Sequence, residues 1–175
     1  MSSMTRRQLL SGLWAATGST LAQKIPARSS AFDCEPIIIP ITLDSGTIRT
    51  PPFPVRSTGF ALSIRLEKRI PFHELNCKMG LNESFLQVCH EDPLLAIDWK
   101  IWDGDRLVRS GSLRGRDHGG AWAKDSIDRY MGGFEGERNK AFIIELTTTQ
   151  DGGILKTCNP KLIIEADGNW WCWSG

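Results

Sequence analysis

Residues 94–103 read LLAIDWKIWD, and the alternation in that run leaves little choice of local structure. Leu95, Ile97, Trp99 and Ile101 fall on one side of an extended chain, and Asp98, Lys100 and Trp102 fall on the other. A period of two is strand spacing. The following DGD at 103–105 is a tight hairpin signal, and RLVRSGSL at 106–113 reads as the returning partner strand.

The same spacing recurs along the chain. TGFALSIRLE (58–67) sets Phe60, Leu62, Ile64 and Leu66 inward, with Arg65 and Glu67 toward water. EPIIIPITLD (35–44) repeats it through Ile37, Ile39, Ile41 and Leu43, and Pro36 and Pro40 mark that strand as an edge. SIDRYMGGF (126–134), KAFIIELTTT (140–149) and PKLIIEA (160–166) complete the set, with Gly132 and Gly133 predicting a bulge or turn. SGTIRTPPFPV, RGRDHGGAW and QDGGILKTCN read as loops, and FHELNC carries one short helical turn. Seven or eight short strands with turns between them predict an all-β fold, an antiparallel immunoglobulin-like β-sandwich. At 175 residues and 41% apolar composition, one core of this kind is affordable and global disorder is excluded.

The first 31 residues belong to something else. Arg6 and Arg7 precede a weakly apolar stretch from Leu9 to Leu21, with small residues at cleavage spacing at Thr20 and Ala22, or Ser29 and Ala31. TRRQLL (5–10) resembles a twin-arginine export signal. Residues 1–31 are therefore expected to be a cleavable signal peptide and flexible leader. Residues 32–175 form a single sandwich domain ending in a tryptophan-rich tail, and its location is periplasmic or secreted by either export route. A lipoprotein anchor does not fit, because Cys34 follows Ala31-Phe32-Asp33. No apolar run is long enough for a transmembrane segment, and the net charge of +1 without a basic block argues against nucleic acid.

Five cysteines, all past the leader, are read as disulfide material in an oxidising compartment. Cys77 and Cys89 bracket a short polar loop, and that closure contributes on the order of 3 kcal/mol. In immunoglobulin-like sandwiches the first and last strands commonly run side by side and parallel. That ranks Cys34–Cys158 second and leaves Cys172 unpaired. Zinc held by His73, Cys77, Cys89 and His90 is disfavoured, since the adjacent pair at 89–90 diverges and the usual paired-cysteine spacing is absent.

The order ALSIRLEKR, PLLAIDWKIWDGDRLVRSG, SIDRYMGGFEG, KAFIIELTTTQDGGIL, NPKLIIEA resembles a small bacterial family of exported immunoglobulin-like domains of unknown function, over about 58–166. The resemblance implies the fold and the compartment, and no activity.

Chemistry is sparse. His73, His90 and His118 each adjoin an acid, but sequence neighbours diverge in space. There is no G-x-S-x-G elbow and no phosphate-cradling glycine loop, and Asp103 and Asp105 are too short a run for calcium. No catalytic residue, cofactor or metal is expected. Trp102, on the polar face, Trp122, in a glycine-rich loop, and Trp170, Trp171 and Trp173 in NWWCWSG are the candidate binding residues. Burial of the tail against the sandwich edge competes with a binding role for the last three. The expected function is a non-catalytic exported module that binds an envelope or extracellular protein, as inhibitor, immunity-type factor or accessory. A glycan-binding sandwich is the alternative, and a hydrolase or metal site on the histidine–acid pairs comes third.

Overall fold

A computed structural model describes residues 35–55, 58–81, 89–116, 119–137 and 140–166. The expected signal peptide and the tryptophan tail lie outside the described residues. Within them run ten strands: β1 (Ile37–Pro40), β2 (Gly46–Arg49), β3 (Phe53–Pro54), β4 (Gly59–Glu67), β5 (Ile97–Asp103), β6 (Arg106–Leu113), β7 (Gly120–Trp122), β8 (Ser126–Glu135), β9 (Ala141–Thr148) and β10 (Lys161–Ala166). One sheet has the order β1-β10-β4-β8-β7. The other has β2-β9-β5-β6, with β3 also pairing β9. Every pairing among the described residues is antiparallel.

The alternation read from the sequence sets the core. Phe60, Leu62, Ile64 and Leu66 of β4 face Ile97, Trp99 and Ile101 of β5 and Phe142, Ile144 and Leu146 of β9 across the two sheets, and all are buried. Phe134 of β8 stacks on Phe60 at 5.1 Å and meets Phe142 edge-on at 5.4 Å, which carries an aromatic contact from one sheet to the other. Among the described residues β1 pairs with β10 alone, the edge position its prolines require. The β4–β8 register shifts between Leu62 and Ser63, opposite Tyr130 and Gly132, where the bulge was expected.

Three loops prove more ordered than the sequence suggests. SGTIRTPPFPV contains β2 and β3, and Thr50 bridges the two: its N–H donates to the Ile144 carbonyl at 2.9 Å, and its Oγ1 accepts from the Ile144 N–H at 3.0 Å. Prolines cut these strands to four and two residues, too short for a period to show. RGRDHGGAW contains β7, so Trp122 sits on a strand, and QDGGILKTCN contains a 3-10 helix, Gly153–Cys158. The expected helical turn is a full helix, α1 (Phe72–Met79), which ends at Gly80 in the left-handed region at φ 79°.

Cys77 and Cys89 form the expected disulfide. The second pairing fails. Cys158 is a buried free thiol whose Sγ lies 3.9 Å from the Ile154 carbonyl. The reason is strand direction: first and last strands are neighbours, but antiparallel. Ile37 lies opposite Ile164 and Pro40 opposite Lys161, so the start of β1 faces the end of β10, away from Cys158.

Glu67, at the end of β4, fastens the start of β10. It accepts hydrogen bonds from Asn159 Nδ2, from Arg69 at 2.7 Å and from Lys161 Nζ at 3.1 Å, and these donors hold its carboxyl down to about 2. A native pKa below the ordinary value means stability present above about pH 4.5 and lost as pH falls toward 2. In a carboxyl NMR titration Glu67 is expected to ionise near 2, and Glu67→Gln to flatten the stability profile through that window. A midpoint at the ordinary glutamate value would contradict the arrangement.

Candidate functional site

The alternation that buries Ile97, Trp99 and Ile101 turns Asp98, Lys100 and Trp102 to the outer face of the four-stranded sheet. Pairing supplies their neighbours. Asp98 lies between Ser112 and Thr147, Lys100 between Ser110 and Glu145, and Trp102 between Leu107 and Ile143. β2 adds Thr47 beside Thr147, with hydroxyls 2.9 Å apart, and Arg49 beside Glu145. Three rows result: two polar, and one apolar made of Ile143, Trp102 and Leu107. A shallow depression of about 500 Å³ opens over the polar rows, lined by Asp98, Lys100, Ser110, Ser112, Glu145 and Thr147.

Charges on this face are held in pairs. Lys100 Nζ is 3.2 Å from Glu145, Arg49 is 3.7 Å from the same carboxylate, and Arg114 grips both oxygens of Asp98 at 2.6 and 2.7 Å. At the apolar end Arg106 and Lys140 hold Asp103 below the usual aspartate range, and Glu137 and Asp103 raise Lys140. The resolved carboxylate shifts among the described residues, at Glu67, Glu91, Asp103 and Asp151, are all downward. The face holds charged groups fixed in place, with an apolar strip beside them.

The apolar row is incompletely satisfied. Leu107 is 47% exposed, and the Trp102 indole N–H is sheltered from solvent with no acceptor among the described residues. Such a donor costs free energy until a partner supplies a carbonyl or hydroxyl.

Trp122 belongs to a different place. It stands 52% exposed on β7, at the edge of the five-stranded sheet, and its Nε1 donates to Asn76 Oδ1 of α1 at 3.2 Å. Trp102 and Trp122 therefore do not share a site. Trp170, Trp171 and Trp173 lie outside the described residues, as does His118. His73 sits one helical turn from Cys77, its Nε2 3.6 Å from Sγ, and His90 is exposed. With both loop sulfurs in a disulfide, neither is available as a thiolate ligand, and no group of three histidine, cysteine or acidic residues converges on a metal position among the described residues.

Sequence reasoning missed Leu107 and Ile143. Ile143 was within reach, since KAFIIELTTT places it on the same side as Glu145 and Thr147. Leu107 was not. It meets Trp102 through a register shift between Ile101 and Trp102, and one-residue slips of this kind leave no compositional trace.

No protein-family model matches the chain, and no curated protein matches it. Among solved structures, the chain is similar to a protein of Sulfurospirillum deleyianum known from a crystal structure. The TM-score is 0.53 at 11% identity, over 77% of this chain and 98% of that one. That likeness concerns the fold alone. Among the described residues no helix is long and apolar enough to cross a membrane.

Proposed function

We propose that this chain is an exported, non-catalytic binding module that engages a protein of the envelope or extracellular space through the outer face of its four-stranded sheet. The observation that carries the reading is the apolar row Ile143–Trp102–Leu107 lying against two rows of fixed charges and hydroxyls. Interfaces concentrate their energy in a few aromatic and aliphatic anchors surrounded by polar groups that set orientation. The unspent Trp102 N–H adds a directional donor. Arg6, Arg7 and the apolar stretch behind them support export, and the Cys77–Cys89 disulfide suits an oxidising compartment.

Affinity capture from periplasmic extract with the tagged mature chain is the test. A stoichiometric protein partner is expected whose affinity falls at least about tenfold in Trp102→Ala and in Leu107→Asp, with thermal stability kept. A partner retained unchanged by both variants would remove this face from the proposal.

The exposure of Trp122 favours a second reading, in which a glycan stacks on that ring. Titration with soluble cell-wall glycan fragments would then quench tryptophan fluorescence in the wild type and not in Trp122→Ala.

A further inference from the structure

Cys77 sits in the last turn of α1, and His73 precedes it by four residues on the same half-exposed side of the helix. Leu75, Asn76 and Met79 take the buried side. Sγ of Cys77 lies 3.6 Å from His73 Nε2 and 3.8 Å from Nδ1. The disulfide brings Cys89, also half-exposed, to the same point, so one imidazole and two sulfurs meet within reach of solvent. While that bond is closed neither sulfur offers a thiolate, and the three groups make no metal position.

Opening the bond changes the donor set, and contacts that do not involve sulfur keep the two cysteines opposed. Lys78 Nζ pairs with Glu91, two residues beyond Cys89. The Lys78 carbonyl accepts from the backbone N–H of Leu94 at 2.8 Å and of Leu95 at 3.3 Å, and Arg129 holds the Met79 carbonyl. The segment after Cys89 is therefore docked on the end of α1 with or without the disulfide. In tetrahedral zinc coordination, bonds of about 2.3 Å to sulfur and about 2.0 Å to nitrogen set those ligand atoms about 3.5 Å apart. The His73–Cys77 contact already has that separation. Two thiolates on one ion stand about 3.8 Å apart, which rotation of the freed side chains about χ1 supplies.

We propose that reduction of Cys77–Cys89 creates a Zn²⁺ site made of His73, Cys77 and Cys89, with water in the fourth position, so that the disulfide is the redox gate of a metal site. The disulfide takes two electrons and two protons from a dithiol reductant, which closes to its own disulfide. Zn²⁺ then displaces the two thiol protons to solvent, and the two thiolates balance its charge. Half-exposure leaves the bond open to this exchange. The site leaves out His90, whose side chain points away from its neighbour Cys89 in extended chain. In an oxidising compartment the gate stays shut, and it opens where a dithiol reaches the chain. The proposal lies on α1 and depends on neither the binding face nor export.

Co²⁺ is the probe, because it accepts the same tetrahedral donors and reports thiolate ligation by a charge-transfer band in the near ultraviolet. The full chain carrying Cys34→Ser and Cys172→Ser is titrated oxidised, and again after reduction by a phosphine that is removed under argon. Only the reduced chain is expected to develop the band, at one ion per chain, and Zn²⁺ is expected to abolish it. Zn²⁺ should also protect Cys77 and Cys89 from alkylation, read by mass spectrometry, with far-ultraviolet circular dichroism unchanged by reduction. His73→Ala is expected to weaken Co²⁺ binding at least about tenfold while the helix signal is kept. A reduced chain without the band overturns the proposal, as does a band that survives Cys77→Ser with Cys89→Ser. Equal affinity in His73→Ala removes the imidazole from the site and overturns the three-donor centre. Loss of the native circular dichroism on reduction overturns the gate.

Discussion

Arg129→Met is expected to destabilise the fold by about 3–5 kcal/mol and to lower its melting temperature by on the order of 10–20 °C. Arg129 lies on β8 opposite Ile64, on the core side of the sheet, and is wholly buried. Its guanidinium donates to the Met79 carbonyl at the end of α1 and, at 2.9 Å, to the Gly115 carbonyl beyond β6. One side chain thus ties the helix end, the segment after β6 and the five-stranded sheet together. Gly80 makes the arrangement possible: a Cβ there would run into the guanidinium and come within 2.9 Å of Pro93 Cγ. Methionine fills similar volume but donates nothing, so the Met79 carbonyl loses its donor in the interior at about 1–3 kcal/mol, and the part-buried, charge-assisted bond to Gly115 is lost as well. Arg129→Lys keeps the charge but loses the fork that reaches two carbonyls at once, so an intermediate loss is expected. Urea denaturation followed by far-ultraviolet circular dichroism measures all three chains. A methionine variant within about 1 kcal/mol of the wild type would show that the clamp is not structural.

In SIDRYM, Arg129 alternates with Asp128 and Tyr130 and shares a face with Ile127. Composition argues the other way, since an arginine is seldom wholly buried. Only tertiary contacts decide the matter, and the two carbonyls come from 14 and 50 residues away. The same division runs through the fold. Strands β4, β5 and β9 were legible because each presents several apolar residues at period two to one core, and the β1 edge because proline lacks a donor. Strand direction was not legible. Side-chain alternation is identical for parallel and antiparallel neighbours, so nothing in EPIIIPITLD distinguishes them, and the Cys34–Cys158 expectation failed on that point alone. At the candidate site Trp102 was legible by its face, but its row became visible only with the register of β6 and β9.

Trp99→Ala is expected to cost about 3–5 kcal/mol, and Gly111→Ala about 1–3 kcal/mol, for a single geometric reason. The Trp99 indole, 3% exposed, lies over Gly111 on the neighbouring strand β6 and reaches Gly132 at the β8 bulge on the opposite sheet. A Cβ on Gly111 would sit 2.6 Å from Cε2 of the ring, and one on Gly132 would sit 2.8 Å from Cζ2. The two glycines make a notch, and the ring closes the side of the sandwich where β6 and β8 approach each other. Truncating the ring opens a cavity that backbone strands cannot collapse to fill. Adding a methyl at Gly111 pushes the ring off its rotamer instead. The two costs are therefore coupled: in a Trp99→Leu background, Gly111→Ala should lose most of its penalty, with an interaction energy of about 1 kcal/mol or more. Denaturant unfolding of the four chains in that cycle measures the coupling. Additive losses would mean that Gly111 is required for something other than the ring. Because Gly111 and Trp99 also underlie the depression bounded by Lys100 and Ser110, the same variants should weaken partner binding in step with their stability loss. Trp102→Ala, on the outer face of the same strand, should weaken binding with stability kept, and that contrast separates the proposed recognition surface from the ring that supports it.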